Sequence, residues 1–234
     1  MLKLRTAARA TIVVTALSAL AVMSADHAES PASDADPAAD IADVFIFPSK
    51  ESAAKLVGAI TFGGRSGPRS RIDFGFYCDA RVLYTVHIDR ADASGAFDNI
   101  PDVSIRARVG SNRAGQCGVQ LENVPGSGGT FSGPIEQVFA TPNGLKAYAG
   151  QRNDPFFFDA EGLAALYASF ATPGQNGDLA GAFGIGTRPR RDSFGLRNVS
   201  VIVFDMDINA LAPKKPDGSR PQLRVWGVTS RLVS

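Results

Sequence analysis

From Val44 onward, short apolar runs and stretches alternating between apolar and polar residues are set off by clusters of Gly, Pro, Asp and Asn. A period of two is the mark of a half-buried strand, and the punctuating residues are those that turns require. The pattern predicts strands over Val44–Phe47, Leu56–Phe62, Ile72–Tyr77, Val82–Asp89, Val103–Val109 and Gln116–Val124. Further strands are expected over Ile135–Thr141, Leu145–Gly150, Val199–Ile208 and Leu223–Thr229. Many short strands at regular spacing, without helices between them, point to an all-β fold, mainly an antiparallel sandwich or barrel.

One helical segment interrupts this pattern. Asp159 is placed to cap it, Leu163, Leu166 and Phe170 fall on one face at helical spacing, and Pro173-Gly174 stops it. Residues 173–195 form a long Gly-rich and Arg-rich connection, and loops of that length in compact domains are mobile or functional. Before the first strand, residues 26–43 carry Asp26, Glu29, Asp34, Asp36, Asp40 and Asp43 with no Lys or Arg, and read as an extended arm. No internal repeat and no linker divides residues 26–234, which are read as a single β-rich domain.

The first 25 residues have a different character. Lys3, Arg5 and Arg9 precede an apolar run from Ala10 to Val22 and then Met23-Ser24-Ala25, the three-part layout of a secretory signal peptide. The run is too short to span a bilayer, so no transmembrane segment is expected after cleavage, and the location is read as periplasmic or secreted. Removal of residues 1–25 takes three of the 24 basic side chains and leaves 21 against 23 acidic ones, a net charge of −2. That balance gives no phosphate-binding footprint, so a nucleic-acid partner is not expected. In an oxidising compartment the only two cysteines, Cys78 and Cys117, are expected to form a disulfide.

Candidate chemistry is sparse. There is no GxSxG, HExxH or phosphate-loop motif, and GIGTRP at 184–189 departs from GxGxxG after its second Gly. His87 and Asp89, two apart in a strand, share one face. With His27 or an arm carboxylate folded over them they become a mixed imidazole and carboxylate metal site; otherwise His87 is a hydrogen-bonded residue and Asp89 opens a turn. Asp34, Asp36, Asp40 and Asp43 supply the oxygen ligands that calcium takes, or belong to a solvated peptide; no other cofactor is expected. In Gln151–Asp159, Arg152 can pair with Asp154 or Asp159, Pro155 fixes the turn, and Phe156 and Phe158 lie opposite Phe157. Arg188, Arg190 and Arg191 form a basic group suited to an anionic glycan or to a solvated loop.

Four stretches in order resemble a bacterial exported family, domain of unknown function 4331: residues 26–47, VLYTVHID at 82–89, AGQRNDPFFFDAEGL at 149–163, and SFGLRNVSVIVFDM at 193–206 with LRVWGVTSR at 223–231. The resemblance spans the mature chain and implies an exported β-rich domain without implying a reaction. Two features depart from it. Ala91 and Ala93 break the oxygen ladder of the calcium-like loop that family members often carry after the His-Ile-Asp strand, and Asn153 stands where they often have Asp. The expected function is a non-enzymatic module that binds an envelope component or glycan. The alternative is a metal-assisted hydrolase acting on an extracellular polymer.

Overall fold

Most of the strands form where the alternation predicts them. The computed structural model describes residues 35–63, 75–171, 174, 177–187, 189–195 and 197–232. Residues 1–25, His27, Asp34, Ile72–Phe74 and Arg188 therefore lie outside the described residues. Among the described residues, ten strands run in order: β1 Ile41–Pro48, β2 Lys55–Phe62, β3 Val82–Arg90, β4 Val103–Ser111, β5 Cys117–Glu122, β6 Phe131–Pro134, β7 Val138–Ala140, β8 Lys146–Asn153, β9 Asn198–Asp207 and β10 Leu223–Arg231. They make two five-stranded antiparallel sheets, ordered β1-β2-β9-β8-β7 (sheet A) and β10-β3-β4-β5-β6 (sheet B). The architecture is an all-β sandwich.

The core is built from alternate residues of facing strands. Ile60, Phe62, Ile202, Phe204 and Met206 from sheet A meet Tyr84, Val86, Ile88, Ile105, Val119 and Leu121 from sheet B, all buried. Gly58 lets Phe204 cross β2, since a Cβ there would stand 2.5 Å from the ring. At their edges the sheets adjoin, β1 beside β10 and β6 beside β7, which covers strand edges that would otherwise recruit another chain. The described arm, from residue 35, is tied to this frame. The Tyr84 hydroxyl donates to the Ala38 carbonyl at 2.6 Å, Thr229 Oγ1 donates to the Ala39 carbonyl at 2.7 Å, and Arg231 pairs with Asp36. Cys78 and Cys117 form the expected disulfide, fixing the segment before β3 to the start of β5.

Several expectations are corrected. Residues 75–79 form no strand; the Tyr77 N–H is satisfied instead by Ser200 Oγ at 3.1 Å. β6 was hidden because Gly133 and Pro134 weaken its signal, yet Pro is tolerated on this last strand of its sheet. Residues 135–137 form a turn in which Glu136 has φ +61°, so the strand predicted from Ile135 begins only at Val138. The strand predicted to reach Ile208 stops at Asp207, whose carboxylate accepts from the Asn209 and Ala210 N–H groups and caps a short helix, Ile208–Leu211.

The chain divides into two compact units: the sandwich, and residues 154–197 inserted in sequence between β8 and β9. The insertion holds helix Ala160–Ala171 and a five-residue helix Leu179–Phe183 inside the stretch read as a loop. Asp159 caps the first helix, its carboxylate accepting from the Gly162 N–H at 2.7 Å. Its packed face differs from the predicted one. Gly162 and Ser169 are buried, Leu163 and Leu166 are half-buried, and Phe170 is 59% exposed. The reason is close approach: a Cβ on Gly162 would lie 2.4 Å from the Phe183 ring, so small residues make the helix contact.

Candidate functional site

The outward face of sheet B is set by register. On β4, Ile105, Ala107 and Val109 point into the core, leaving Ser104, Arg106, Arg108 and Gly110 outward. Pairing places Arg106 opposite Glu122, Arg108 opposite Gln120, and Gly110 opposite Gly118, which in turn faces Pro134. Gln120 faces Ser132. The glycine and proline row carries no polar side chain above the sheet, and beside it runs the row Arg108, Gln120 and Ser132. The result is a trough across β4, β5 and β6 with a volume of about 710 Å³.

The polar wall of the trough is held in place. Glu122 accepts from Gln120 Nε2 at 2.9 Å and lies 3.6 Å from Arg108 Nε. At one end, Asn112 Oδ1 accepts from the Ala114 and Gln116 N–H groups, and Asn112 Nδ2 donates to Gln116 Oε1. Side chains locked in this way lose little freedom when a ligand arrives. Arg106, exposed on the same face, makes no ion pair among the described residues, because Glu122 turns to Arg108.

Farther along the face, β10 places Trp226 directly opposite His87, with ring centroids 5.3 Å apart. His87 Nδ1 shares a 2.8 Å hydrogen bond with Ser104 Oγ. The imidazole pKa is lowered, first by desolvation and then by the Arg106 charge. Asp89 lies on the same face, as its spacing predicts, but is buried beneath the following loop and accepts from the Asn99 N–H at 3.0 Å. Arg224, opposite Asp89, bonds to Asn99 Oδ1 and stacks over Phe97 at 4.3 Å. His87 and Asp89 thus share a face while each is committed to a different partner.

The other expected residues are dispersed. Arg152 pairs with Glu136 at 2.8 Å and stacks on Tyr148 at 4.3 Å, partners that local spacing does not predict. The cause is strand geometry: Arg152 projects from the same face of β8 as Tyr148, and Glu136 also accepts from the Gln151 N–H. Those bonds offset the desolvation of Glu136 and bring its carboxyl below the usual range. Asp154 accepts from the Phe156 N–H at 3.0 Å. Asp159 belongs to Arg191, which also binds Glu161, so Arg191 is occupied within the insertion rather than offered to an anion. Phe156 and Phe158 pack with Phe194, and Phe157 stands 56% exposed.

His27 and Asp34 fall outside the described residues. Asp36 is bonded to Arg231, and Asp40 is buried with its carbonyl accepting from the Gly63 N–H. The Asp43 N–H donates to Thr61 Oγ1. Among the described residues, no group of three or more His, Cys, Asp or Glu side chains is placed to hold a metal. Among them, too, no helix is long and apolar enough to cross a membrane. Sequence reasoning missed Arg106, Arg108, Gln120 and Trp226; their signal was the outward half of the alternation in SIRARVG, CGVQLE and LRVWGVTSR. No family model, curated protein or solved structure matches the chain.

Proposed function

We propose that this is an exported, non-enzymatic binding module, of the kind implied by the resemblance to domain of unknown function 4331, and that it engages an envelope component through the outward face of sheet B. The observation that carries this reading is the trough itself. A row with no polar side chain lies beside the polar row Arg108, Gln120 and Ser132, of which Arg108 and Gln120 are both held by Glu122, the chemistry of a binding trough. The signal-like segment with Lys3, Arg5 and Arg9 supports export.

The chain's only tryptophan, Trp226, lies on this face and serves as the reporter. Titration of the mature protein with solubilised envelope polysaccharide should change Trp226 emission saturably and leave the polymer length unchanged. Emission that stays constant across the titration counts against the face. Polymer shortening would favour the hydrolase reading, for which the Ser104–His87 hydrogen bond is the one supporting contact. A triad needs a third group orienting the imidazole, and Asp89, the nearest carboxylate in sequence, accepts from Asn99 instead.

A further inference from the structure

We infer that the trough over β4, β5 and β6 takes a linear acidic polysaccharide, its carboxylates received by Arg108 in the lining and by Arg106, which stands outside the lining two residues along β4 on the same outward face, and its hydroxyls by Gln120, Ser132 and the Asn112–Gln116 turn. This rests on the binding-face reading and names the ligand class for it.

The shape selects an extended chain. At about 4.8 Å between strands, a trough over three strands spans about 10 Å. Gly110, Gly118 and Pro134 lie in one row, so the channel runs across the strands instead of ending in a closed pocket. An extended peptide binds sheets by adding to an edge through backbone hydrogen bonds. The floor here consists of strands paired with one another, and the trough lies over their face, so side chains are the recognising element.

The side chains select the chemistry. Carboxamides and hydroxyls both donate and accept, which suits the dense hydroxyls of a sugar chain. Arg106 presents a planar fork of donors with no carboxylate of its own among the described residues, and Arg108 shares its only one with Gln120. The pair therefore attracts anionic ligands. Two guanidinium groups on a mature chain of net charge −2 fall far short of what a nucleic-acid backbone needs.

The test is calorimetric titration of the mature protein with hexagalacturonate, with maltohexaose as the uncharged control. Hexagalacturonate should bind, more weakly as salt rises, and maltohexaose at least tenfold less tightly. Arg106→Ala should weaken hexagalacturonate binding at least tenfold. Gly110→Leu should do the same without a change in melting temperature, because a Cβ at 110 meets only Ala80 at 3.7 Å and the longer side chain fills the channel. Equal affinity for maltohexaose, or hexagalacturonate binding indifferent to both substitutions, overturns the inference. If hexagalacturonate gives no heat while envelope polysaccharide still shifts Trp226 emission, the acidic-polysaccharide inference fails and the binding face stands.

Discussion

The Tyr84 hydroxyl, on the inner face of β3, donates a 2.6 Å hydrogen bond to the Ala38 carbonyl, which ties the acidic arm into the centre of the sandwich. Burial pushes the phenol pKa upward, so the hydroxyl keeps its proton and remains a donor across the physiological range. Tyr84→Phe retains the ring packing against Phe62 but leaves the Ala38 carbonyl without this donor. The expected cost is about 1–2 kcal/mol. A urea midpoint equal to that of the parent protein would show that the arm is held without this bond.

Gly162→Ala reverses the usual sign of a helix substitution. In an exposed helix interior the change stabilises by about 1 kcal/mol. Here the new methyl would stand 2.4 Å from the Phe183 ring and 2.7 Å from Asp159 Oδ2, the oxygen that accepts from Arg191 while Oδ1 caps the helix. The insertion should lose about 1–3 kcal/mol from overpacking. Hydrogen exchange over residues 160–171 should quicken; slower exchange would contradict the helix contact.

Reduction of the Cys78–Cys117 bond releases a segment 39 residues away in sequence. Loop-closure entropy alone predicts a loss of about 4 kcal/mol. The melting temperature should fall on addition of reductant, and Cys78→Ser with Cys117→Ser should reproduce the fall without it. Equal melting temperatures with and without the bond would refute the stabilising role.

His87 provides a pH-dependent readout of the face. Its folded pKa lies below the ordinary 6.5, because desolvation and Arg106 disfavour the imidazolium. The unfolded chain then binds the proton more readily, so this contribution to stability is complete above pH 6.5 and is lost as pH falls toward the folded pKa. The His87 ring proton should titrate in NMR with a midpoint below 6.5, and Arg106→Ala should raise that midpoint. An unmoved midpoint would mean that the two side chains do not sense each other.

Much of the fold was legible because alternation reports which residues point inward: Ile105, Ala107 and Val109 are buried as their period requires. What alternation cannot give is register between strands far apart in sequence. Gly110 and Gly118 become a trough only because the hairpin sets them opposite each other, and Trp226 meets His87 only through the pairing of the last strand with β3. Local spacing was misleading where a distant partner prevailed. Arg152 sits beside Asp154 in the chain, yet its carboxylate comes from Glu136, a residue in a left-handed turn that sequence read as the start of a strand. The helix of the insertion was found from its cap, but its contact face was not, since a glycine face carries no hydrophobic signal.

The central claim is that ligand contact is made by the outward face of sheet B. Its most direct test is a map of amide chemical-shift changes in the mature, isotope-labelled protein as envelope polysaccharide is added. The account predicts that the perturbed amides cluster at Arg106–Gly110, Gly118–Gln120, Ser132–Pro134 and Trp226. Changes confined to sheet A or to residues 154–197, with those positions still, would contradict it.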